Sequence, residues 1–381
     1  MKTTSLVLLA LLSLTGVTGS ARADEAPLVP TLAIGAPAPD FDLPGVDGRR
    51  YSLKSFASSP VLVIVFTCNH CPTAQAYEER IQKLHDEYAG RGVALVAISP
   101  NDPKAVRLDE LGYTDLSDSL EEMKVRAQDK GFTFPYLYDG ETQAVAHLYG
   151  PVATPHVFVF DQARKLRFVG RVDDAENPEK IKVQDTRNAI DALLDGRAVP
   201  IEKTKVFGCS IKWAEKKGWL AEGVKKWAEE EVTVAPIDAA GLTALAKNDS
   251  GKLRLINAWA TWCGPCVVEF PDLVNVNRMY RGRAFEVVTV SADPAPLRPD
   301  VVKFLKDRQA STRNYLAADS DDRDAMINAV DAEWQGELPH TVLVAPGGRI
   351  VYRTRGAFDP LALRKAIVGY LGRYYHSVAG K

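Results

Sequence analysis

Cysteine is scarce in this chain: there are five in 381 residues. Such a low density excludes a small scaffold stapled by disulfides. Neither charge sign is in excess. The 47 basic and 49 acidic residues leave a formal net charge of −2, so nothing in the balance points to nucleic acid. Long apolar runs are missing too. The run Leu6–Leu12 is far short of the roughly 20 residues that a membrane span needs, so no span is expected in the mature chain. The chain is 46% hydrophobic and 25% charged, which excludes collagen-like, mucin-like and largely disordered classes. At roughly 100–200 residues per domain, the length allows two or three domains.

The first residues read as an export signal rather than as structure. Lys2 precedes the apolar run Leu6–Leu12, and Ala21-Arg22-Ala23 offers a cleavage site before Asp24. This pattern predicts a secretory signal peptide over 1–23 and a periplasmic, or otherwise extracytoplasmic, mature protein. Thiols in such a compartment are subject to oxidation, so each cysteine needs a chemical account.

Four of the five cysteines form two C-x-x-C pairs, Cys68/Cys71 and Cys263/Cys266, and the surrounding pattern occurs twice. Each pair follows a short apolar run rich in β-branched residues, Val61–Phe66 or Leu253–Trp259, which reads as a buried strand. Helical periodicity follows each pair, over Ala74–Tyr88 and Val267–Tyr280, and then a second strand, Val93–Ile98 or Phe285–Val290. Later in each half an X-Pro-His, at Pro155 or Pro339, opens a strand pair, and a helical segment closes the unit. The expected architecture is α/β: two tandem domains, each a central mixed sheet flanked by helices. The expected boundaries are 24–198 and 233–381, with 199–232 a charged helical linker carrying Cys209. Residues 24–198 hold 19 basic and 27 acidic residues; the imbalance suggests that this domain docks against the rest, with two independently solvated surfaces as the simpler reading.

The spacing has a physical reason. Two residues between cysteines at the start of a helix put the sulfurs within bonding distance. The first sulfur then sits beside the free N–H groups and the positive end of the helix dipole. That environment lowers a thiol pKa, and the thiolate is the species that attacks. Cys68 and Cys263 are therefore the expected nucleophiles, and Cys71 and Cys266 the resolving thiols. Zinc held by all four thiolates is disfavoured, because each pair opens a helix of its own and 192 residues separate Cys71 from Cys263. Haem attachment requires His directly after the second Cys, and here Pro72 and Val267 follow. With no nucleotide, flavin or haem motif visible, no cofactor is expected and the cysteines themselves are the redox centre.

The stretch Trp262-Cys263-Gly264-Pro265-Cys266, with Asn257–Thr261 before it and Glu269-Phe270-Pro271 after it, resembles exported thioredoxin-like oxidoreductases of the TlpA/ResA type. The first half, with Phe41–Gly45 and Cys68-Asn69-His70-Cys71-Pro72, resembles the redoxin branch of the same superfamily, the alkyl-hydroperoxide-reductase (AhpC/TSA) group and the peroxiredoxin-like proteins with C-x-x-C. The resemblance implies thioredoxin-like folds and cis Pro155 and Pro339, seated against the cysteines and offering backbone groups to an incoming peptide. It implies protein thiol or disulfide clients and an upstream membrane thiol donor.

Some residues depart from that pattern. The acid expected six residues before the first Cys is Asn257 in the second half and Leu62 in the first, so Glu269 is the candidate proton acceptor for Cys266, with a solvated helix carboxylate as the plainer alternative. His70 either stabilises a thiolate or is an exposed loop residue. Cys209 is either a third redox thiol or a small buried apolar residue. Two rival functions remain open. Cys71-Pro72-Thr73 is similar to a peroxiredoxin's peroxidatic motif, although Cys68 stands where a Thr is expected. Cys68, Cys71 and His156 offer a soft donor set for Cu(I), as in copper-delivery redoxins.

Overall fold

The structure, a computed structural model, describes residues 29–317 and 323–375. The expected signal peptide lies outside the described residues. In chain order the first half contributes β1 (Asp42–Pro44), β2 (Arg50–Ser52), β3 (Val61–Phe66), α1 (Pro72–Tyr88), β4 (Val93–Ser99), α2 (Leu120–Lys130), β5 (Tyr136–Tyr138), α3 (Ala144–Tyr149), β6 (Ala153–Thr154), β7 (His156–Phe160), β8 (Leu166–Gly170) and α4 (Asp185–Leu194). There follow β9 (Cys209–Ser210), α5 (Gly218–Ala228), β10 (Val234–Ile237), α6 (Ala239–Lys247), β11 (Leu253–Trp259), α7 (Gly264–Tyr280), β12 (Phe285–Ser291), α8 (Arg298–Asp307), β13 (Arg313–Ala317), α9 (Arg323–Val330), β14 (His340–Val344), β15 (Ile350–Arg355) and α10 (Pro360–Leu371).

Two mixed sheets result, with strand orders β5-β4-β3-β7-β8 and β10-β13-β12-β11-β14-β15. In each, the strand before the cysteine motif pairs in parallel with the next strand and antiparallel with the strand after the X-Pro. All six residues of β3 are buried, and their side chains alternate between two cores because strand side chains have period two. Val61, Val63 and Val65 pack with Tyr77, Ile81 and Leu84 of α1 and Ile190 of α4. Leu62, Ile64 and Phe66 pack on the other face with Phe41, Val145 and Tyr149. The same alternation splits β11, Leu253 and Leu255 on one side and Ile256 and Ala258 on the other.

The segment between the domains differs from the expected helical linker, since only its second part is helical. Residues 202–213 instead run along the first domain. Val169 N donates to Glu202 O and Thr204 N to Val169 O, β9 pairs with β6, and Ile211 and Trp213 are buried in the first domain's core. The apolar anchors Ile211 and Trp213 set this course, since burying each contributes about 1.5–3 kcal/mol.

The two domains dock rather than standing as separate solvated surfaces. Val106 and Leu111, from an insertion in the first domain between β4 and α2 (residues 100–119) that is longer than the connection between β12 and α8, join the second domain's core. Tyr280, at the end of α7, donates its hydroxyl to Thr114 O at 2.7 Å. Arg373 grips the buried Asp115 with both terminal nitrogens, at 2.5 and 2.9 Å. Arg364 reaches Glu122 and Lys365 reaches Asp129. Acidic groups of the first domain thus meet basic groups after β15. Tyr280→Phe leaves the buried Thr114 carbonyl without its donor and should cost about 1–3 kcal/mol in a urea titration. An unchanged midpoint would show that this contact does not hold the domains together.

Candidate active site

Strand register fixes how the two cysteine sites correspond. Phe66 faces His156 across the β3–β7 pair, and Ala258 faces His340 across β11–β14. The offset is 258 − 66 = 192, and it carries α1 (Pro72–Tyr88) onto α7 (Gly264–Tyr280) end to end. The residue capping α1 is Cys71, and the one capping α7 is Cys263. Cys68 falls on Ala260, and Cys266 falls on Ala74. The first domain therefore carries its pair one helical turn upstream of the second.

This corrects the assignment of Cys68 as the helix-cap nucleophile: the position belongs to Cys71. The signal was in the sequence. Proline favours the first helical position, and Pro72 follows Cys71 directly. The buried position matching Asn257 is likewise Val65 rather than Leu62.

In the second domain Cys263 and Cys266 form a disulfide, with Cα atoms 5.3 Å apart. The Cys263 sulfur accepts a hydrogen bond from Cys266 N at 3.3 Å. Trp262 beside it is 59% exposed, marking the open side of the site, whereas Cys266 is fully buried. Leu338–Pro339 is cis. Glu269 is buried, which decides against a solvated carboxylate. Its oxygens accept from Asn257 Nδ2 at 2.9 Å and Phe358 N at 3.0 Å, and burial pushes its pKa up to about 7.

In the first domain Cys68 and Cys71 are free thiols. Cys68 lies in the loop after β3 rather than on the first turn of α1, yet its thiol lies against Cys71 in a cluster with Ala74, within reach as a resolving thiol. Cys68 Sγ is 3.2 Å from Thr154 Oγ1, and Cys71 Sγ is 3.4 Å from Thr154 O, just before cis Pro155. The Cys71 sulfur accepts from Ala74 N at 3.4 Å.

The loop is organised by Asp118, a residue that motif reading missed because it enters from the insertion before α2. Asp118 Oδ1 accepts from Asn69 N at 2.8 Å and His70 N at 3.0 Å. Its Oδ2 meets His70 Nδ1 at 2.5 Å and accepts from Asn101 Nδ2 at 2.8 Å. His70 is buried, not an exposed loop residue. Burial opposes its charge, but the Asp118 carboxylate more than offsets this and raises its pKa.

The two sulfurs are driven apart in acidity. Burial pushes the Cys68 thiol well above the usual range, reinforced by Cys71 and by the Asp118 charge. Burial acts the same way on Cys71, yet the neighbouring Cys209 and Cys68 thiols, the His70 charge and the Ala74 N–H win and hold it well below the usual range. Of the two sulfurs, Cys71 is the one whose surroundings favour ionisation.

Cys68, His70 and Asp118 could each present a ligand atom within 4.8 Å of the others. Asp118 is already saturated, so the donor left unpartnered is His70 Nε2. His156 stands elsewhere: its ring packs on Phe158, and its Nδ1 accepts from Val152 N. That placement weakens the donor set Cys68, Cys71 and His156.

Asp118→Asn should lower the pKa of His70 and so weaken the positive charge available beside Cys71. The Cys71 thiolate then titrates at higher pH, read by ultraviolet thiolate absorbance and by the pH dependence of Cys71 alkylation. An unmoved titration would take Asp118 and His70 out of thiolate stabilisation.

The AhpC/TSA family profile matches residues 34–169, and the redoxin profile matches residues 239–367. The thiol:disulfide interchange protein HelX of Rhodobacter capsulatus is 28% identical over 137 residues, 36% of this chain and 70% of that protein. The thiol-disulfide oxidoreductase ResA of Bacillus subtilis is 31% identical over 101 residues, 26% of this chain. The chain spans about half, 51%, of that relative's length. A hypothetical protein from Sinorhizobium meliloti is 36% identical, covering 49% of this chain and 97% of that one with a TM-score of 0.44. No helix among the described residues is long and apolar enough to cross a membrane. With one profile on each of its two sheets, the chain belongs to the thioredoxin superfamily as a tandem protein, an AhpC/TSA-type domain followed by a redoxin domain.

Proposed function

We propose that this protein is an exported thiol–disulfide oxidoreductase that exchanges disulfides with protein thiols at two centres. The observation that carries the reading is a cysteine sulfur capping the helix that follows the central strand in both domains, each of which also has a cis X-Pro before the strand antiparallel to that central strand. In the second domain Cys263 attacks, forming a mixed disulfide with the client. Cys266 gives its proton to Glu269 and displaces the client from Cys263. In the first domain Cys71 is the attacking thiolate. Because its reduced form is stabilised by His70, its disulfide is the more oxidising, and electrons run from Cys263/Cys266 to Cys71. A membrane thiol donor outside this chain recharges the second domain, and no cofactor is needed. The leader-like residues 1–23 support export.

A second reading has a specific observation behind it. Cys71 caps α1 and is followed by Pro72-Thr73 in the domain that the AhpC/TSA profile matches, which favours reduction of peroxides at Cys71. Thiol-dependent turnover of hydrogen peroxide by the full chain, lost in Cys71→Ser and kept in Cys263→Ser given a small-molecule thiol, would establish it.

The exchange reading is tested by trapping. Cys266→Ala should hold clients as reducible adducts on Cys263, absent when Cys263 is also replaced; no adducts from an extract of exported proteins would sink it. Exchange by the second domain should speed up as pH rises through about 7, where Glu269 ionises and becomes a base. Glu269→Gln should flatten that rise and slow mixed-disulfide release by about 10²-fold or more. The sign for stability is opposite. A raised carboxyl pKa means that the native state holds the proton more tightly than the unfolded chain. Between the ordinary carboxyl value of 4.5 and about 7 the wild type should therefore lose stability as pH rises, and the Gln variant should not.

A further inference from the structure

The residue before cis Pro155 is the edge at which an incoming peptide would pair. In this structure that edge is taken. β9 pairs antiparallel with β6, Cys209 opposite Thr154 and Ser210 opposite Ala153. The strand comes from the segment joining the domains and delivers its cysteine to the cluster formed by Cys68, Cys71 and Ala74. Cys209 N donates to Cys71 Sγ at 3.4 Å.

The approach is built into the backbone. Gly208 has φ +143°, a conformation that favours glycine, and a Cβ there would lie 2.1 Å from Thr154 O. Only glycine lets the segment come this close to the residue preceding the proline. Ile211 and Trp213 then bury the chain just beyond. Of the three sulfurs, Cys71 is the one whose surroundings favour ionisation, while the Cys68 and Cys209 thiols are pushed up, Cys209 by the Cys71 sulfur beside it and by burial.

We infer that the Gly208–Ser210 segment is an internal client strand, and that Cys209 is a second resolving thiol for Cys71, in competition with Cys68. The inference rests on reading Cys71 as the attacking thiolate. β9 is two residues long and is the part of the site most easily lifted. When it lifts, an outside disulfide reaches Cys71. The thiolate attacks one client sulfur, the client S–S bond breaks, and a Cys71–client disulfide forms as one client thiolate leaves. On its return β9 carries Cys209 to the same sulfur. Cys209 loses its proton to water and attacks Cys71 Sγ; a Cys71–Cys209 bond forms, and the second client thiolate departs and is protonated. The balance is a client disulfide reduced to two thiols and two protein thiols oxidised to one disulfide. The strand that displaces the client from the edge also displaces it from the sulfur.

The test uses the reduced full-length chain, oxidised glutathione as the disulfide, acid quenching and peptide mapping. Cys68→Ser should pass through glutathionylated Cys71 to a Cys71–Cys209 disulfide. Glutathione persisting on Cys71 with Cys209 free would overturn the inference while leaving Cys71 as nucleophile. No modification of Cys71 would overturn both. Gly208→Ala, combined with Cys68→Ser, keeps all the thiols of that comparison but moves the strand off Thr154. It should slow closure roughly tenfold to a hundredfold, and an unchanged rate would again overturn the inference.

Discussion

A sulfur at the first turn of a helix, deprived of water, is the constraint around which both halves of this protein are arranged. Cys71 is fully buried and Cys263 nearly so. Burial alone disfavours a thiolate, so the anion exists only where fixed donors replace the lost water. The helix supplies one such donor directly, Ala74 N to Cys71 and Cys266 N to Cys263. What surrounds that shared device then separates the domains. Beneath the second site lies a carboxylate, Glu269, whose burial suits it to take and return a proton. The register equivalent in the first domain, 269 − 192 = 77, is Tyr77, whose hydroxyl is committed to Asp173 at 2.9 Å. The ionisable groups near the first site are instead His70 and Asp118, paired at 2.5 Å, and the His70 charge favours the Cys71 anion.

Much of the fold was legible from residue patterns because the repeated unit is strongly periodic. The runs Val61–Phe66 and Leu253–Trp259 are apolar enough to be central strands in any arrangement, and the observed strands have those bounds. The edge strands β5 and β10, and β13 beside β10, were not anticipated, since three to five residues of mixed polarity take their structure from the neighbours they pair with.

The site was half legible for a different reason. The C-x-x-C spacing is the same in both halves, but spacing within a motif does not say where the helix begins. In the second half the first cysteine caps the helix. In the first half Pro72 shifts the start by three residues, so the second cysteine does. Asp118 was illegible because its role depends on an insertion folding back 48 residues from His70. Neither composition nor periodicity records such a contact.

That insertion links the first site to the remainder of the molecule. Asn101 and Asp118 hold the His70 loop, while Asp102 N, Asn101 Oδ1 and Glu110 bind Lys212 just after the Cys209 strand. Thr114 and Asp115, in the same stretch, receive Tyr280 and Arg373 from the second domain. Tyr375 follows, its ring 4.9 Å from Tyr113 and its hydroxyl raised in pKa by burial and by the Cys209 and Cys71 sulfurs. The first domain's thiolate is therefore not furnished by its own fold alone. The sulfur, its helix and the His70 charge come from the repeated unit, the carboxylate that sustains that charge from the insertion, and the third thiol from the joining segment. The second domain braces the insertion from outside. Loosening that brace acts on Asp118 and on the Lys212 anchor together, so the acidity of Cys71 and the seating of Cys209 are coupled through one stretch of chain.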